Sequence, residues 1–278
     1  LGGTMMPARL LILLLLAATT ACLPMRRGEA GHRITVATYN IQYGGGGTNL
    51  PAITSAIRAM NPDIIALQEV DVRWSSRSEF ADQAAVIARA LGMQVRFAPI
   101  YDIPDTGVAR PARQFGVAIL SRFPVVRFSN HPQTRHSTQE PDAPPRPQPG
   151  LLEVVLDVHG RHVRVFNTHL DYRPDPAVRT RQVSEMLDVI GISDIPMIVF
   201  GDLNADPRAP ELQPLFARFR DVWPRGSDAG YTMPASAPVK RIDYVLVSDD
   251  IGVARAVVPV TSASDHRPVL AELIIPGA

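Results

Sequence analysis

The chain has one cysteine in 278 residues, Cys22, and that scarcity removes several kinds of chemistry at once. Without a second thiol there is no disulfide framework, and beyond Cys22 thiol catalysis and a cysteine-based zinc site are excluded. Aromatic residues are sparse at 6%, which argues against a base-stacking platform for single strands. An excess of one charge is also missing. The formal net charge is +1, so no strongly basic nucleic-acid-binding surface is expected, although a local patch is compatible with it. What is present is ordinary globular usage, 46% apolar and 20% charged, at a length that suits a single α/β domain.

The N-terminus reads as an export segment. Arg9 precedes the apolar stretch 10–18, and the small residues Thr19, Thr20 and Ala21 lead to Cys22. A positive start, a short apolar core and a small-residue exit describe a signal peptide over 1–22, too short for a membrane span. Met5 or Met6 is the expected start, the residues before it being an upstream extension. Cys22 stands where a bacterial lipoprotein signal carries its lipidated residue, while Thr19 replaces the usual aliphatic, so lipid anchoring and plain cleavage both stay open. Residues 23–32 are then a polar tether and 33–276 the folded domain. The expected location is outside the cytoplasm: periplasmic, lipid-anchored to a bacterial envelope, or secreted.

Along the domain, strands and helices alternate. Period-two or short apolar runs predict strands at 34–39, 64–67, 95–98, 117–120, 151–158, 163–167, 195–200, 244–247 and 269–273. Asn49 and Pro51 open a helix running to about Met60; Ser76 and Glu79 have capping-box spacing for a helix over 80–91. The clearest helix has Asp175 as cap, Pro176 in its first turn, Gly191 past its end, and an apolar stripe of Val183, Met186, Leu187 and Ile190. His159, Gly160 and Arg161 predict a hairpin turn. Hairpins mixed with helical crossovers imply mixed sheets covered by helices. The segment 131–150, rich in proline, is expected to be a solvated loop. No internal repeat is evident.

Polar residues gather where the apolar runs stop. Asn40 follows the first strand and opens a glycine-rich loop, and Glu69 closes the second. His169 ends the run containing Asn167 and Thr168. Asp202 and Asn204 lie two apart, so both face one side of an extended chain. Asp243 precedes Tyr244, and Asp265 and His266 precede the last strand. A carboxylate leaving an apolar strand is expensive unless paired, solvated or bound to a cation. Each residue alone has a plain explanation as turn chemistry or an exposed strand end; the whole set does not. Adjacent Asp265 and His266 point in different directions, so one can hold a metal while the other faces a substrate. Oxygen donors without cysteine suit a hard cation, Mg²⁺ first, with Mn²⁺ or Ca²⁺ as alternatives.

In order along the chain stand Thr38-Tyr39-Asn40-Ile41, Leu67-Gln68-Glu69-Val70, Gly116 to Arg122, Asn167-Thr168-His169-Leu170, Gly201-Asp202-Leu203-Asn204, Arg241-Ile242-Asp243-Tyr244 and Ser264-Asp265-His266. This ordered set resembles the endonuclease/exonuclease/phosphatase superfamily, which includes pancreatic-type deoxyribonucleases, exonuclease III-like repair enzymes, neutral sphingomyelinases and inositol polyphosphate 5-phosphatases. The match covers about 34–275. It is specific to the superfamily and poorly specific to substrate. The resemblance implies an α/β four-layer sandwich of two packed mixed β-sheets flanked by helices. It implies Glu69 as principal metal ligand, assisted by Asn40 and Asp265. Asp202 and Asn204 would align or activate water and grip phosphate, His266 would pair with Asp243, and His169 would donate to a non-bridging phosphate oxygen.

Three positions depart from the pattern. Gln42 stands where several repair-type relatives have Asp. Pro149 stands where many exported relatives have Arg, with Arg146 the nearest substitute. No acidic partner for His169 is identifiable. The expected function is a metal-dependent phosphoester hydrolase, a phosphodiesterase acting on nucleic acid, a phospholipid headgroup or a small phosphoester. Near-neutral charge weakens the nucleic-acid case, and Arg173, Arg179 and Arg181 read as a solvated helix face rather than a phosphate-facing patch. Membrane attachment through Cys22 and a monomeric state complete the expectation. The alternative is a catalytically inactive surface-binding lipoprotein that keeps the fold; its signature would be loss of Glu69, Asp202, Asp243 or His266, and all four are present.

Overall fold

Each long strand of this chain carries two apolar rows, because successive side chains leave a strand on opposite faces. Where the two rows go decides the architecture. The computed structural model describes residues 1–2, 31–104, 111–224 and 230–277. The expected export segment from residue 3 onward, with Cys22, lies outside the described residues. One six-stranded sheet contains β1 (His32–Asn40), β2 (Ile64–Val72), β3 (Gln94–Ile103), β4 (Arg113–Ser121), β11 (Gly252–Val257) and β12 (Val269–Ile275), in the order β11-β12-β1-β2-β4-β3. The other contains β5 (Val125–Arg135), β6 (Arg146–Val158), β7 (Arg161–His169), β8 (Met197–Asp202), β9 (Arg220–Asp221) and β10 (Asp243–Val247), in the order β5-β6-β7-β8-β10-β9. Among the described residues, only β1 with β2 and β7 with β8 pair in parallel.

One row from each sheet turns inward. Ile34 and Val36, Ile64 and Ala66, Val163 and Val165, Ile198 and Phe200, and Val245 and Val247 all join the core between the sheets. The alternate row of the first sheet, including Tyr39, Ile65 and Leu67, packs on Ile53 and Ile57 of α1 (Leu50–Met60) and Ala84 and Ile87 of α2 (Gln83–Leu91). In the second sheet, Phe166, Val199 and Leu246 pack on Val183, Met186 and Ile190 of α3 (Ala177–Ile190) and Leu215 of α4 (Gln213–Arg218). Helix, sheet, sheet, helix: the four-layer sandwich is what the chain adopts.

The inner layer also holds polar groups that continue the inward rows. Gln68 Nε2 donates to Asn167 Oδ1 across the sandwich at 2.7 Å and to Thr38 Oγ1 at 3.0 Å. Asn167 Nδ2 donates to the carbonyls of Leu67 and Ala118 at 2.9 and 2.8 Å. The β2–β4 ladder shifts register between Leu67 and Val70. Asn167 therefore supplies donors at the point where the ladder is interrupted, so the buried carbonyls do not go unpaired.

Several local expectations are corrected. The segment 131–150 is not a loop. β5 and β6 pair through Arg135↔Arg146, leaving 136–145 as the connection. Pro132 is tolerated because β5 is an edge strand whose register shifts between His131 and Pro132, and Pro147 and Pro149 because they lie on the part of β6 that precedes its first pair with β7, Leu152↔Asn167. Ser76 does not cap a helix over 80–91: residues Ser76–Ser78 form one 3₁₀ turn, and α2 starts after Asp82, whose carboxylate accepts from the Ala85 N–H. The cap residue of α3 is Pro176, with the Asp175 carboxylate accepting from Ala177 N–H. β8 begins two residues later than the apolar run, and β5, β9 and β11 carried too little alternation to be read. The expected turn is present, with His159 and Gly160 at φ of 54° and 87° between β6 and β7.

Replacing Asn167 with Ala strands two buried carbonyls and the Gln68 amide, and a loss of about 2–4 kcal/mol of stability is expected. Urea denaturation at unchanged m-value measures it; a loss under half a kcal/mol would mean that water replaces the amide.

Candidate active site

The site is the open end of the inner core. Following each inward row to the C-terminal end of its strand gives Asn40 after Ile34, Val36 and Thr38, His169 after Val163, Val165 and Asn167, and Asp202 after Ile198 and Phe200. Asp243 begins β10, which runs antiparallel, and so arrives at the same rim. In register, His169 lies opposite Asp202 and Asp202 opposite Asp243, which sets three titratable groups in one row across three strands. Glu69 breaks the rule. Counting from Ile64, Ala66 and Gln68 it belongs to the outward row, but it sits within the register shift of β2 at φ 55°, a left-handed conformation that swings it toward the rim.

Asn40 joins the two sheets at this rim. Its Nδ2 donates to Glu69 Oε1 and to Asp202 Oδ2, both at 3.0 Å, and its Oδ1 accepts from the Gln42 N–H. Ser264 fixes the strand end by donating to the Asn40 carbonyl at 2.8 Å. Asp202 is the hub. Its Oδ2 lies 3.5 Å from His169 Nε2 and 3.8 Å from His266 Nε2, and its Oδ1 accepts from the Asn204 N–H. His266 Nδ1 meets Asp243 Oδ2 at 2.9 Å, and the same oxygen accepts from Thr232 Oγ1 at 2.5 Å. Asp243 Oδ1 is buried without a hydrogen-bond partner.

Burial sets the electrostatics. Burial raises the Asp202 pKa and the neighbouring Asp243 carboxylate raises it further, against the lowering effect of His169, His266 and the Asn40 amide. Burial alone would lower His266, but Asp243, Asp202 and Asp265 outweigh it and hold the imidazole at about 10. The folded value lies above the ordinary 6.5 of histidine, so the stability this pair contributes is complete below about pH 6.5 and is lost as pH rises through about 10.

Of the eight residues read from sequence, Asn40, Glu69, His169, Asp202, Asp243 and His266 form one connected cluster. Asn204 adjoins it, at φ 51°, with its side-chain amide donating to the Leu170 carbonyl at 3.0 Å. Asp265 is half-buried next to His266, and its carboxylate accepts from the Ser264 hydroxyl at 3.2 Å. The acid facing His169 is Asp202, a strand neighbour that linear spacing conceals. Arg146 is not a substitute at position 149: it is exposed and pairs with Glu140. Arg179 does not lie on a solvated face, since it is buried against Glu211 at 2.8 Å. Sequence reasoning missed Thr232, Gln68 and Arg135. Thr232 sits in irregular backbone with no pattern to mark it, and Gln68 is masked by its apolar neighbours.

A cleft of about 330 Å³ opens at Glu69 and His169. Tyr43, Trp74, Tyr101 and Phe115 line one side, and Arg135, Arg173 and Gln182 also reach it. Arg77 grips Asp71 through two hydrogen bonds of 2.9 and 2.7 Å and lies over the Tyr43 ring at 4.1 Å. Whether the cluster suits a cation can be judged from its donors. Asp202, Asp243 and His266 offer ligand atoms within 4.8 Å of one another, with Glu69 tied to them by Asn40. Among the described residues no arginine or lysine pairs with Glu69, Asp202, Asp243 or Asp265; the ion-pair partners of the two buried aspartates are imidazoles. Crowded oxygen donors, offset only in part by imidazoles and with one orphaned oxygen, fit a hard divalent cation.

Fold and rim together define a hydrolase of the two-sheet α/β-sandwich class. The model of the Endonuclease/Exonuclease/phosphatase family matches residues 37–266, and the chain belongs to that family. It is 26% identical over 238 residues to the uncharacterized protein YbhP of Escherichia coli (strain K12), covering 81% of this chain and 88% of that one. An endonuclease/exonuclease/phosphatase from Beutenbergia cavernae superposes with a TM-score of 0.71 at 29% identity, over 88% of this chain and 72% of the other. A mannosyl-6-phosphatase of Bacteroides thetaiotaomicron VPI-5482 superposes with a TM-score of 0.66 at 20% identity, over 87% and 100%.

In the metal-free protein, the His266 imidazole is expected to stay protonated through neutral pH and to titrate near 10. Asp243→Asn removes the main opposing carboxylate, and the value should fall by several units toward or below that of free histidine. Carbon-13 shifts of the ring measure both; a wild-type value near 6.5 would contradict the pairing.

Proposed function

We propose that the chain is a divalent-metal-dependent phosphoester hydrolase, of phosphodiesterase type, that acts outside the cytoplasm. The observation that carries this reading is the row His169, Asp202 and Asp243, closed by His266 and joined through Asn40 to Glu69. Family membership supports phosphoester hydrolysis as the chemistry, and a neighbour described as a phosphatase is consistent with it. The apolar stretch 10–18 and the small residues before Cys22 support export, with lipid anchoring at Cys22 the proposed attachment.

Glu69, Asn40 through Oδ1, and Asp265 are the proposed holders of the cation, Mg²⁺ in this reading. Bound there, it would supply Lewis-acid polarisation of the phosphoryl group and offset the charge of the reacting centre. The remaining work falls to side chains. Asp202 has its proton affinity raised by burial and by Asp243, which makes it a stronger base than an exposed carboxylate toward the attacking water. Asn204 orders the loop beyond Asp202. His169 Nε2, at the mouth of the cleft, is placed to donate to a non-bridging oxygen. His266, held cationic by Asp243, offsets the negative charge that builds up at the reacting centre. Water attacks phosphorus as Asp202 takes one of its protons, the ester P–O bond breaks, and the departing oxygen takes a proton from solvent water.

Bis(p-nitrophenyl) phosphate should be hydrolysed with Mg²⁺ and not with EDTA, and His266→Ala should lower kcat by about a hundredfold or more. A panel of plasmid DNA, RNA, sphingomyelin and inositol phosphates then assigns the substrate. Absence of metal-dependent turnover on that ester, DNA and sphingomyelin alike would falsify the hydrolase reading.

A further inference from the structure

Arg135 and Gln182 reach the cleft from β5 and from α3, and each carries a buried donor with nothing to donate to. Arg135 is 7% exposed and Gln182 is 0% exposed. The Arg135 guanidinium donates through Nη1 to the His169 carbonyl at 2.6 Å, and through Nη2 to Gln133 Oε1 at 3.0 Å and the Gly150 carbonyl at 3.2 Å. Its Nε–H has no partner. Gln182 Oε1 accepts from the Asp171 N–H at 2.9 Å, which establishes which end of the amide is oxygen. That leaves Nε2, buried and without an acceptor. Gln133 ties the pair together: it donates to the Gln182 carbonyl at 3.2 Å while accepting from Arg135.

Both orphans are donors, and one belongs to a cation. Burial lowers the Arg135 pKa to about 10, so the side chain is still charged at neutral pH. The acids that act on it, Asp171 and Glu185, are paired with Arg173 and Arg181. All the acceptors it does find are neutral carbonyl or amide oxygens. A buried guanidinium without a counter-ion is costly, and so is an unmatched buried N–H. An anionic group entering the cleft that both residues line would relieve both costs. A guanidinium matches phosphate and carboxylate geometry well. The contact to the His169 carbonyl places this group directly behind a residue of the catalytic row.

We propose that Arg135 and Gln182 form an anion subsite of the substrate cleft, where they take an anionic oxygen of the substrate beside the group handled by Glu69 and His169. This rests on the phosphoester reading above. The oxygen belongs either to the reacting phosphoryl group or to a second anionic group on an ester arm.

The first test needs no turnover. Inorganic phosphate is titrated into the purified wild-type protein and followed by calorimetry and by the nitrogen-15 resonance of Arg135 Nε–H, which should shift. Gln182→Glu keeps the acceptor for Asp171 N–H but replaces the orphan donor with a carboxylate. It should weaken phosphate binding about tenfold or more, the loss of a charge-assisted hydrogen bond, while raising the melting temperature. Arg135→Gln should weaken binding at least as much, with partial recovery in Arg135→Lys. In turnover, thymidine 5′-(p-nitrophenyl phosphate) is compared with its 3′-phosphorylated form. An equal rise in KM on both assigns the oxygen to the reacting phosphoryl group, and a rise confined to the doubly phosphorylated ester assigns it to a second anion. A phosphate-insensitive Nε–H together with unchanged phosphate affinity and KM in Gln182→Glu overturns the subsite, leaving water as the partner of both donors. An inactive protein whose Arg135 still responds to phosphate would refute the hydrolase reading and leave the subsite standing.

Discussion

The hydrogen bond from Gln68 to Asn167 crosses the middle of the sandwich, and the site depends on it. Two sheets held by apolar packing alone can slide, because dispersion and hydrophobic burial are not directional. Fully buried amides are directional, and an unmatched one is expensive, so this pair selects one offset between the sheets. Asn167 also supplies donors where the β2 ladder is interrupted. That interruption is what turns Glu69 toward the rim. The cross-tie, the bulge and the position of Glu69 are therefore one device, and Asn40 completes it by touching Glu69 from one sheet and Asp202 from the other.

Charge at the rim is balanced narrowly. Asp202 and Asp243 are both about 1% exposed and stand opposite each other on paired strands, an arrangement that repels unless protons or cations intervene. Two imidazoles and two neutral donors, Asn40 and Thr232, offset part of it. What remains is negative on the Glu69 side. Across the cleft the imbalance is reversed at Arg135. Under the proposed function, a divalent cation would face the acids and an anionic oxygen of the ester would face the guanidinium.

Much of this was legible in the sequence because the inward rows are regular. A strand whose apolar positions run two by two and then end in Asp, Asn or His announces a rim residue, as at Asn40, His169 and Asp202, and Asp243 is legible as the acid that opens the next strand. Glu69 is legible as a strand-end carboxylate, but its strand parity points outward, and only the bulge turns it toward the rim. The helical layers followed from periodicity, with their starts misplaced where Asp82 rather than Ser76 capped the chain. Arg135 stayed hidden for a physical reason. Prolines at 132, 147 and 149 look like a loop, whereas Pro132 on an edge strand with a shifted register, and Pro147 and Pro149 on the stretch of β6 that precedes its pairing with β7, are compatible with pairing, and that pairing carries Arg135 into the cleft. The acid opposite His169 is a neighbour across a parallel pair, and no spacing along the chain reveals such a partner.

One topological fact bears on when the protein can first work. β1, which carries Asn40, lies inside its sheet with β12 on one side and β2 on the other. Ser264 reaches back 224 positions to fasten the end of that strand, and His266 closes the cluster from the same stretch. During synthesis from the N-terminus, every earlier strand emerges before these partners exist. The carboxylates of β2 and β8 are then without the imidazole and the hydroxyl that complete the site. A nascent or C-terminally truncated chain accordingly lacks the imidazole and the hydroxyl of this cluster, which is complete only when the last stretch of the chain has joined β1.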